Sequence, residues 1–332
     1  EPMSKTYQVA GIGNAVSDVI SQSSDTFLDH MGIEKGIMQL IERERAEVLY
    51  AAMEGRVETP GGSVANTIAG LGMLGAKSAF IGRVADDTLG KAYAFALAKE
   101  GTAFPNPPVE DASLPTSRSM IFVSPDGERS MNTYLGISSE VSADDVPLDV
   151  AADCEVLFLE GYLFDKDPGK EAFRTAADAA INSGAQAGIS LSDPFCVDRH
   201  RADFRALIRD NLSFVIGNEA ELLSLYQVDS VDAALEAAAQ ECGLVVCTRS
   251  GEGVAMHQGD TRVDVPVETV VPVDATGAGD QFAAGFIYGM ITGADLAACG
   301  RMGCIAAAEV ISHIGPRPET DLKALFAQHG LS

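Results

Sequence analysis

Short apolar or β-branched runs alternate with longer stretches of helical period along most of the chain. Compact runs at 8–12, 78–82, 156–159, 187–191, 214–216 and 244–248 predict strands. Apolar positions recurring at helical spacing predict helices over 64–74, 90–99, 170–183, 201–209, 219–226, 231–240, 279–290 and 295–310. Strands and helices taking turns in this way predict an α/β fold with a mainly parallel central sheet and helices on both faces. Ligands of such folds collect beyond the C-terminal ends of the strands. The loops that follow the apolar runs are therefore where chemistry is sought.

Two segments, 16–40 and 116–135, break the alternation. They lack helical period and carry strand-like pieces at 119–123 and 129–134, joined by Ser124-Pro125-Asp126-Gly127-Glu128, a hairpin turn signal. They read as a small β lid inserted in one domain spanning 1–332, with a long irregular surface hairpin as the alternative. No repeat, low-complexity stretch or interdomain linker is evident in the sequence.

The chain has 332 residues, 46% hydrophobic and 21% charged, enough for a sizeable core. Its formal net charge of −25 disfavours nucleic acid and anionic membranes as partners. Any phosphate site must then be rescued locally by backbone dipoles, a metal or a few basic residues. No apolar run approaches the roughly 20 residues that span a bilayer, and no basic-then-apolar leader opens the chain. Glu1-Pro2 ahead of Met3 reads as a remnant before the native start. Six cysteines without a Cys-x-x-Cys pair, and five histidines without a His-Glu-x-x-His pattern, argue for buried free thiols in a reducing cytoplasm and against zinc.

The densest chemistry lies at Asp274-Ala275-Thr276-Gly277-Ala278-Gly279-Asp280, where a loop turns into a helix. A helix start leaves N–H groups unpaired and partly positive, a seat for phosphate. Gly277, Ala278 and Gly279 keep bulk away from that seat, and Asp280 sets a carboxylate beside it. An anion cradle with an adjacent base suits phosphoryl transfer to an alcohol. A plain glycine-rich turn with Asp280 as a helix-start charge is the simpler reading.

Four further windows are weaker alone. Gly61-Gly62-Ser63-Val64-Ala65-Asn66 is a second glycine-rich helix entry, either a turn or a ligand clamp. Asn14 and Asp18 follow the first strand, placed to hold hydroxyls or to form an Asx-type turn. Asn218 and Glu221 open a helix after an apolar run, as N-cap and first-turn acid or as anchors for hydrated magnesium. Thr248 and Gly251 lie in a glycine- and hydroxyl-bearing loop that suits nucleotide phosphate or an ordinary turn.

Together and in this order, from about residue 7 to 318, these windows resemble the ribokinase-like (PfkB) carbohydrate kinase family. Gly13-Asn14 to Asp18, Asn218 to Glu221, Glu160-Gly161-Tyr162-Leu163-Phe164 and Ser190-Leu191-Ser192-Asp193-Pro194-Phe195 look most like its adenosine kinase branch. The resemblance implies a ribokinase-like α/β fold and a cytoplasmic kinase, monomer or homodimer, using ATP with magnesium. It implies Asp280 as base and the N–H groups of Gly277, Ala278 and Gly279 as the phosphoryl cradle. Asn14, Asp18, Gly62 and Asn66 would hold the sugar, Thr248, Gly251 and Asn218 the nucleotide, and Glu221 with Asn218 the magnesium through water. Asp274 and Thr276 would serve a possible monovalent cation such as potassium. Ser250 stands where the family's phosphate loop usually has its first glycine, which loosens the assignment of that loop. A purine would need an apolar slot, for which Phe195, Phe164 and Met38 are candidates that could equally be core. Adenosine phosphorylation is the expectation; a kinase of free ribose, fructose or a ketodeoxy acid, and a non-catalytic nucleoside- or sugar-binding protein, are its rivals.

Overall fold

The computed structural model describes residues 4–331; the expectation about Glu1 to Met3 lies outside them. The strands among these residues are β1 Tyr7–Ile12, β2 Val16–Gln22, β3 Met38–Leu40, β4 Val57–Gly61, β5 Ser78–Ile81, β6 Thr102–Ala103 and β7 Ser117–Val123. They continue as β8 Arg129–Tyr134, β9 Cys154–Glu160, β10 Gln186–Ser190, β11 Phe214–Asn218, β12 Leu244–Thr248, β13 Val254–Gln258 and β14 Thr261–Val265. They form two sheets.

The larger sheet has nine strands in the order β14-β13-β12-β11-β10-β9-β1-β5-β6. From β6 to β12 it is parallel, and β12, β13 and β14 pair antiparallel. The parallel strands read as near-continuous apolar runs because helices bury both their faces. One face packs on the helices Asp167–Asn182, Pro194–Asn211, Glu219–Tyr226 and Val231–Ala239, the other on Ser63–Met73, Ala278–Ile291 and Leu296–Ile311. The helix expected over 201–209 is the second arm of Pro194–Asn211, which kinks at His200 (φ −126°, ψ 24°); the first arm, capped by Asp193 accepting from the N–H groups of Phe195 and Cys196, is an addition. The β13–β14 hairpin was not anticipated, although its turn, Gly259-Asp260, was visible in the sequence.

The second sheet has five strands in the order β3-β8-β7-β2-β4. It draws on 16–40 and 116–135, as the broken period suggested, and also takes β4. Two helices, Asp25–His30 and Arg43–Ala52, cover one of its faces; Leu28, Ala46 and Leu49 pack there against Val19, Met120, Phe122 and Tyr134. The first corrects the reading of 16–40 as free of helix. All six cysteines are buried and free.

Candidate active site

Two helix starts meet beneath the second sheet. The helix Ser63–Met73 begins after Gly62, whose φ of 109° and whose approach to the Asn14 carbonyl exclude a side chain: a Cβ there would meet that oxygen at 2.2 Å. The helix Ala278–Ile291 begins after Gly277, at φ 81°, where a Cβ would strike Pro316 at 2.7 Å. The N–H groups of Gly277 and Gly279 find no protein acceptor among the described residues, and Gly279 faces open space. Oriented, unpaired donors at a helix start can bind an anion.

Asp280, in the first turn of that helix, is fixed by the other one. Its Oδ1 accepts from Ser63 Oγ at 2.7 Å, and its Oδ2 from Asn66 Nδ2 at 3.0 Å. Burial pushes the Asp280 carboxyl above the usual range, opposed by the Asn66 and Ser63 donors and by the Arg317 charge. Arg317 was not singled out in the sequence. It donates to Asn66 Oδ1 and to the Pro60 carbonyl, each at 2.7 Å, and pairs with Glu100.

Asp18, on β2, faces the same space. Burial raises its carboxyl to about 7, against the pull of Arg317 and Arg129 and with the push of Asp280. No protein group donates to it among the described residues, so it is a half-buried acceptor open to a ligand. Asn14, by contrast, is built into the wall: its amide donates to Glu160 at 2.7 Å and its carbonyl accepts from Ser138 at 2.9 Å. The buried Glu160 also accepts from the Val64 N–H at 3.1 Å, so it anchors the start of the helix that carries Asn66.

The Asp274 carboxylate is fully engaged, accepting from the N–H groups of Thr276 and Gly315, each at 3.0 Å, and facing Arg129 at 3.4 Å. Burial works against its ionisation, but those N–H groups and Arg129 outweigh it and hold its carboxyl low. Arg129 already supplies positive charge there.

Asn218 and Glu221 form a reciprocal capping box: the Glu221 N–H donates to Asn218 Oδ1 at 2.8 Å, the Asn218 N–H to Glu221 Oε1 at 2.9 Å. Burial raises the Glu221 carboxyl to about 7, and its Oε2 takes no protein donor among the described residues. Thr248 ends β12, and Gly251 beyond it faces open space. Ser250 holds a φ of 51°, the left-handed conformation for which glycine is preferred. Of the two readings open for Phe164 the core one holds: it is buried and stacked on Phe204 at 4.4 Å between ring centroids. Phe195 is 72% exposed, a surface ring at a helix start.

The strand register identifies what shares Asp18's face. Asp18 lies opposite Thr59 and Ser119, Ile20 opposite Val57 and Ile121, and Met38 and Leu40 opposite Met131 and Thr133. Alternation puts all of these on the sheet face away from its covering helices. Met38 and Leu40 on β3 and Val57 on β4 are 54%, 65% and 58% exposed, whereas Ser119, Ile121 and Thr133 between them are buried, so this face carries bare apolar side chains at its two edges.

Residues 33–322 match the family model for pfkB family carbohydrate kinases. The structure superposes on a probable sugar kinase from Rhizobium etli CFN 42 with TM-score 0.88 at 44% identity, over 99% of this chain and 100% of that one. It superposes on the adenosine kinase of Sinorhizobium meliloti with TM-score 0.87 at 44% identity, over 98% and 99% of the two chains. A fructokinase of Klebsiella pneumoniae is 30% identical over 71% of this chain and 79% of its own. Among the described residues no helix is long and apolar enough to cross a membrane. The chain belongs to the pfkB family of carbohydrate kinases, and is a sugar or nucleoside kinase.

Proposed function

We propose that the protein transfers the γ-phosphoryl group of ATP to the primary hydroxyl of a nucleoside, adenosine in the first place. The observation that carries the nucleoside over a free sugar is the set of exposed apolar side chains, Met38, Leu40 and Val57, at the edges of the face that bears Asp18. A free sugar has little apolar surface to cover it, whereas a purine is a flat ring system that gains by leaving water. The likeness to an adenosine kinase over nearly the whole chain supports the same reading.

In this reading Asp18 accepts from the ribose hydroxyls, with Gly62 giving the sugar access to the backbone. Asp280 takes the proton of the attacking hydroxyl as its oxygen bonds to the γ-phosphorus and the bond to the bridging oxygen of ADP breaks. The unpaired N–H groups of Gly277 and Gly279 meet the negative charge on the transferring group, whereas the Ala278 N–H expected beside them donates to the Ala275 carbonyl at 3.2 Å. Thr248, Gly251 and Asn218 border the nucleotide. The five-stranded sheet acts as a lid whose closure keeps water from competing for the phosphoryl group. Magnesium suits a buried carboxylate with a spare oxygen, and Glu221 offers one. No three acidic, histidine or cysteine side chains converge as a cage among the described residues, so the ion would be held through waters and the nucleotide. Bound there, it would offset phosphate charge.

The test is an acceptor panel of adenosine, guanosine, inosine, ribose and fructose with saturating ATP and magnesium. Adenosine is expected to give the highest kcat/KM. Preference for fructose, the substrate named for the Klebsiella relative, would replace the nucleoside reading. Binding without turnover of any acceptor would make the protein a non-catalytic binder.

A further inference from the structure

The loop after the helix Leu296–Ile311 is held in place from several sides. The Gly315 N–H donates to Asp274 at 3.0 Å, the Pro316 carbonyl accepts from Gln281 Nε2 at 3.0 Å, and Glu309 accepts from the N–H groups of Glu319 and Thr320. This loop delivers one long side chain into the site. The Arg317 guanidinium spreads its donors over Asn66 Oδ1 and the Pro60 carbonyl, touches the Ala65 carbonyl at 3.4 Å, and pairs through Nε with Glu100 at 3.1 Å. Only 19% of the side chain is exposed.

An amide has two unlike ends, and nothing in Asn66 itself decides which end faces Asp280. With Arg317 claiming the carbonyl, the NH2 group must point to the carboxylate, as the 3.0 Å contact shows. We propose that Arg317 is a positioning residue for phosphoryl transfer, one that orients Asn66 toward Asp280 and places positive charge between the Asp280 and Asp18 carboxylates. The inference rests on Asp280 being the base.

Desolvation raises both of these half-buried acids, and the Asp280 charge pushes the Asp18 carboxyl further up. Arg317 opposes that rise at each of them. The other charged or titratable groups around the pair are Arg129 from β8, Glu160 at the end of β9, Tyr162 after it, Glu100, and Tyr93 beneath Gly61. Of these only Arg129 is cationic, and it is shared with Asp274. Activity needs Asp280 deprotonated, so it falls as pH drops through that group's pKa. Removing Arg317 raises that pKa and moves the acid limb of the rate profile to higher pH.

Arg317→Met and Arg317→Lys, compared with wild type and Asp280→Asn, test this through the pH dependence of kcat and through both Michaelis constants. Arg317→Met should lose about ten- to a hundredfold in kcat at neutral pH and move the acid limb up by about 1–2 pH units, leaving KM for ATP unchanged. Arg317→Lys should restore the limb but not the full rate, since an ammonium cannot span Asn66 and the Pro60 carbonyl as a fork does. An unmoved acid limb in folded Arg317→Met overturns the inference. If that variant does not fold, Arg317→Lys decides: wild-type kcat in it overturns the orienting role. Full turnover in Asp280→Asn would instead sink the base assignment itself, whatever the arginine variants do.

Discussion

The two halves of the cleft are finished to different degrees. On the side of the large sheet the polar side chains of the site meet partners, while the N–H groups of Gly277 and Gly279 stay free among the described residues: Asp280 takes Ser63 and Asn66, Asn66 takes Arg317, and Asn14 takes Glu160 and Ser138. On the side of the small sheet Asp18 has no protein donor among the described residues, and Met38, Leu40 and Val57 lie bare at the edges of the same face. The first half holds its geometry before any ligand arrives, as charge stabilisation without reorganisation requires. The second half is incomplete until something polar meets Asp18 and something apolar covers those edges. Chemistry is thus built into the rigid side, and the choice of substrate is left to the unsatisfied side.

The strongest way to break this division is at its rigid end. Asp280→Asn keeps the shape and the contact with Ser63 but cannot take a proton. It should cost on the order of a hundredfold to ten-thousandfold in kcat while the thermal unfolding midpoint hardly moves. A near-wild-type rate would mean that the ordered half is scaffolding only.

The unsatisfied end makes the opposite prediction, a gain in stability on mutation. The folded state raises the Asp18 carboxyl to about 7, so between about pH 4 and pH 7 it binds more protons than the unfolded chain. Stability then falls as pH rises through that window and levels off above it. Asp18→Asn removes the penalty and should exceed wild type by about 2–4 kcal/mol at pH 8, an advantage that vanishes near pH 4. Parallel urea titrations at the two pH values check this. Equal stability at pH 8 would show that Asp18 is adequately solvated and that the cleft is less incomplete than its contacts imply.

How much of this contrast was legible in the sequence followed the same line. Asp280 and its glycines announced themselves because a helix start without bulk has few other uses, and the strand–helix alternation was visible in the parallel strands of the large sheet except the two-residue edge strand β6. Arg317 was missed because a lone arginine in a loop has no periodic signal; the prolines at 316 and 318, which stiffen that loop, were the available hint. The helix Arg43–Ala52 is short and charge-rich, so its amphipathic stripe was too weak to separate from loop, and β4 beside it went unnoticed as the edge of the small sheet. Phe164 and Phe195 could not be sorted by type alone, because burial is decided by elements distant in sequence: Phe164 stacks on Phe204, whereas Phe195 starts a helix at the surface.

The bare apolar edges sharpen the comparison with a smaller effect. Leu40 is already exposed, so Leu40→Ala should spare stability and weaken adenosine binding by up to about 1.5–3 kcal/mol, roughly ten- to more than a hundredfold. Binding of free ribose, which has no ring system to lay against these edges, should not change. Phe195→Ala, read by the same calorimetric titrations, asks whether that exposed ring forms the opposite wall. Loss in the first variant alone would remove Phe195 from the slot and keep the Leu40 edge; no loss in either would end the nucleoside reading.

The smallest expected effect falls on Glu221, which sits with the rigid half by its capping box and with the unsatisfied half by its spare Oε2. Glu221→Gln retains an oxygen to accept from the Asn218 N–H, so the cap should survive. The lost helix-start charge costs roughly 0.3–1 kcal/mol, and this is partly offset because burial disfavours the charged form it replaces. If capping were the whole of its role, the magnesium concentration for half-maximal activity would be that of wild type. If the spare oxygen anchors a hydrated ion, that concentration should rise while KM for adenosine stays the same. A magnesium titration at fixed ATP separates the two, and an unmoved midpoint would return Glu221 to the finished half as a helix cap and nothing more.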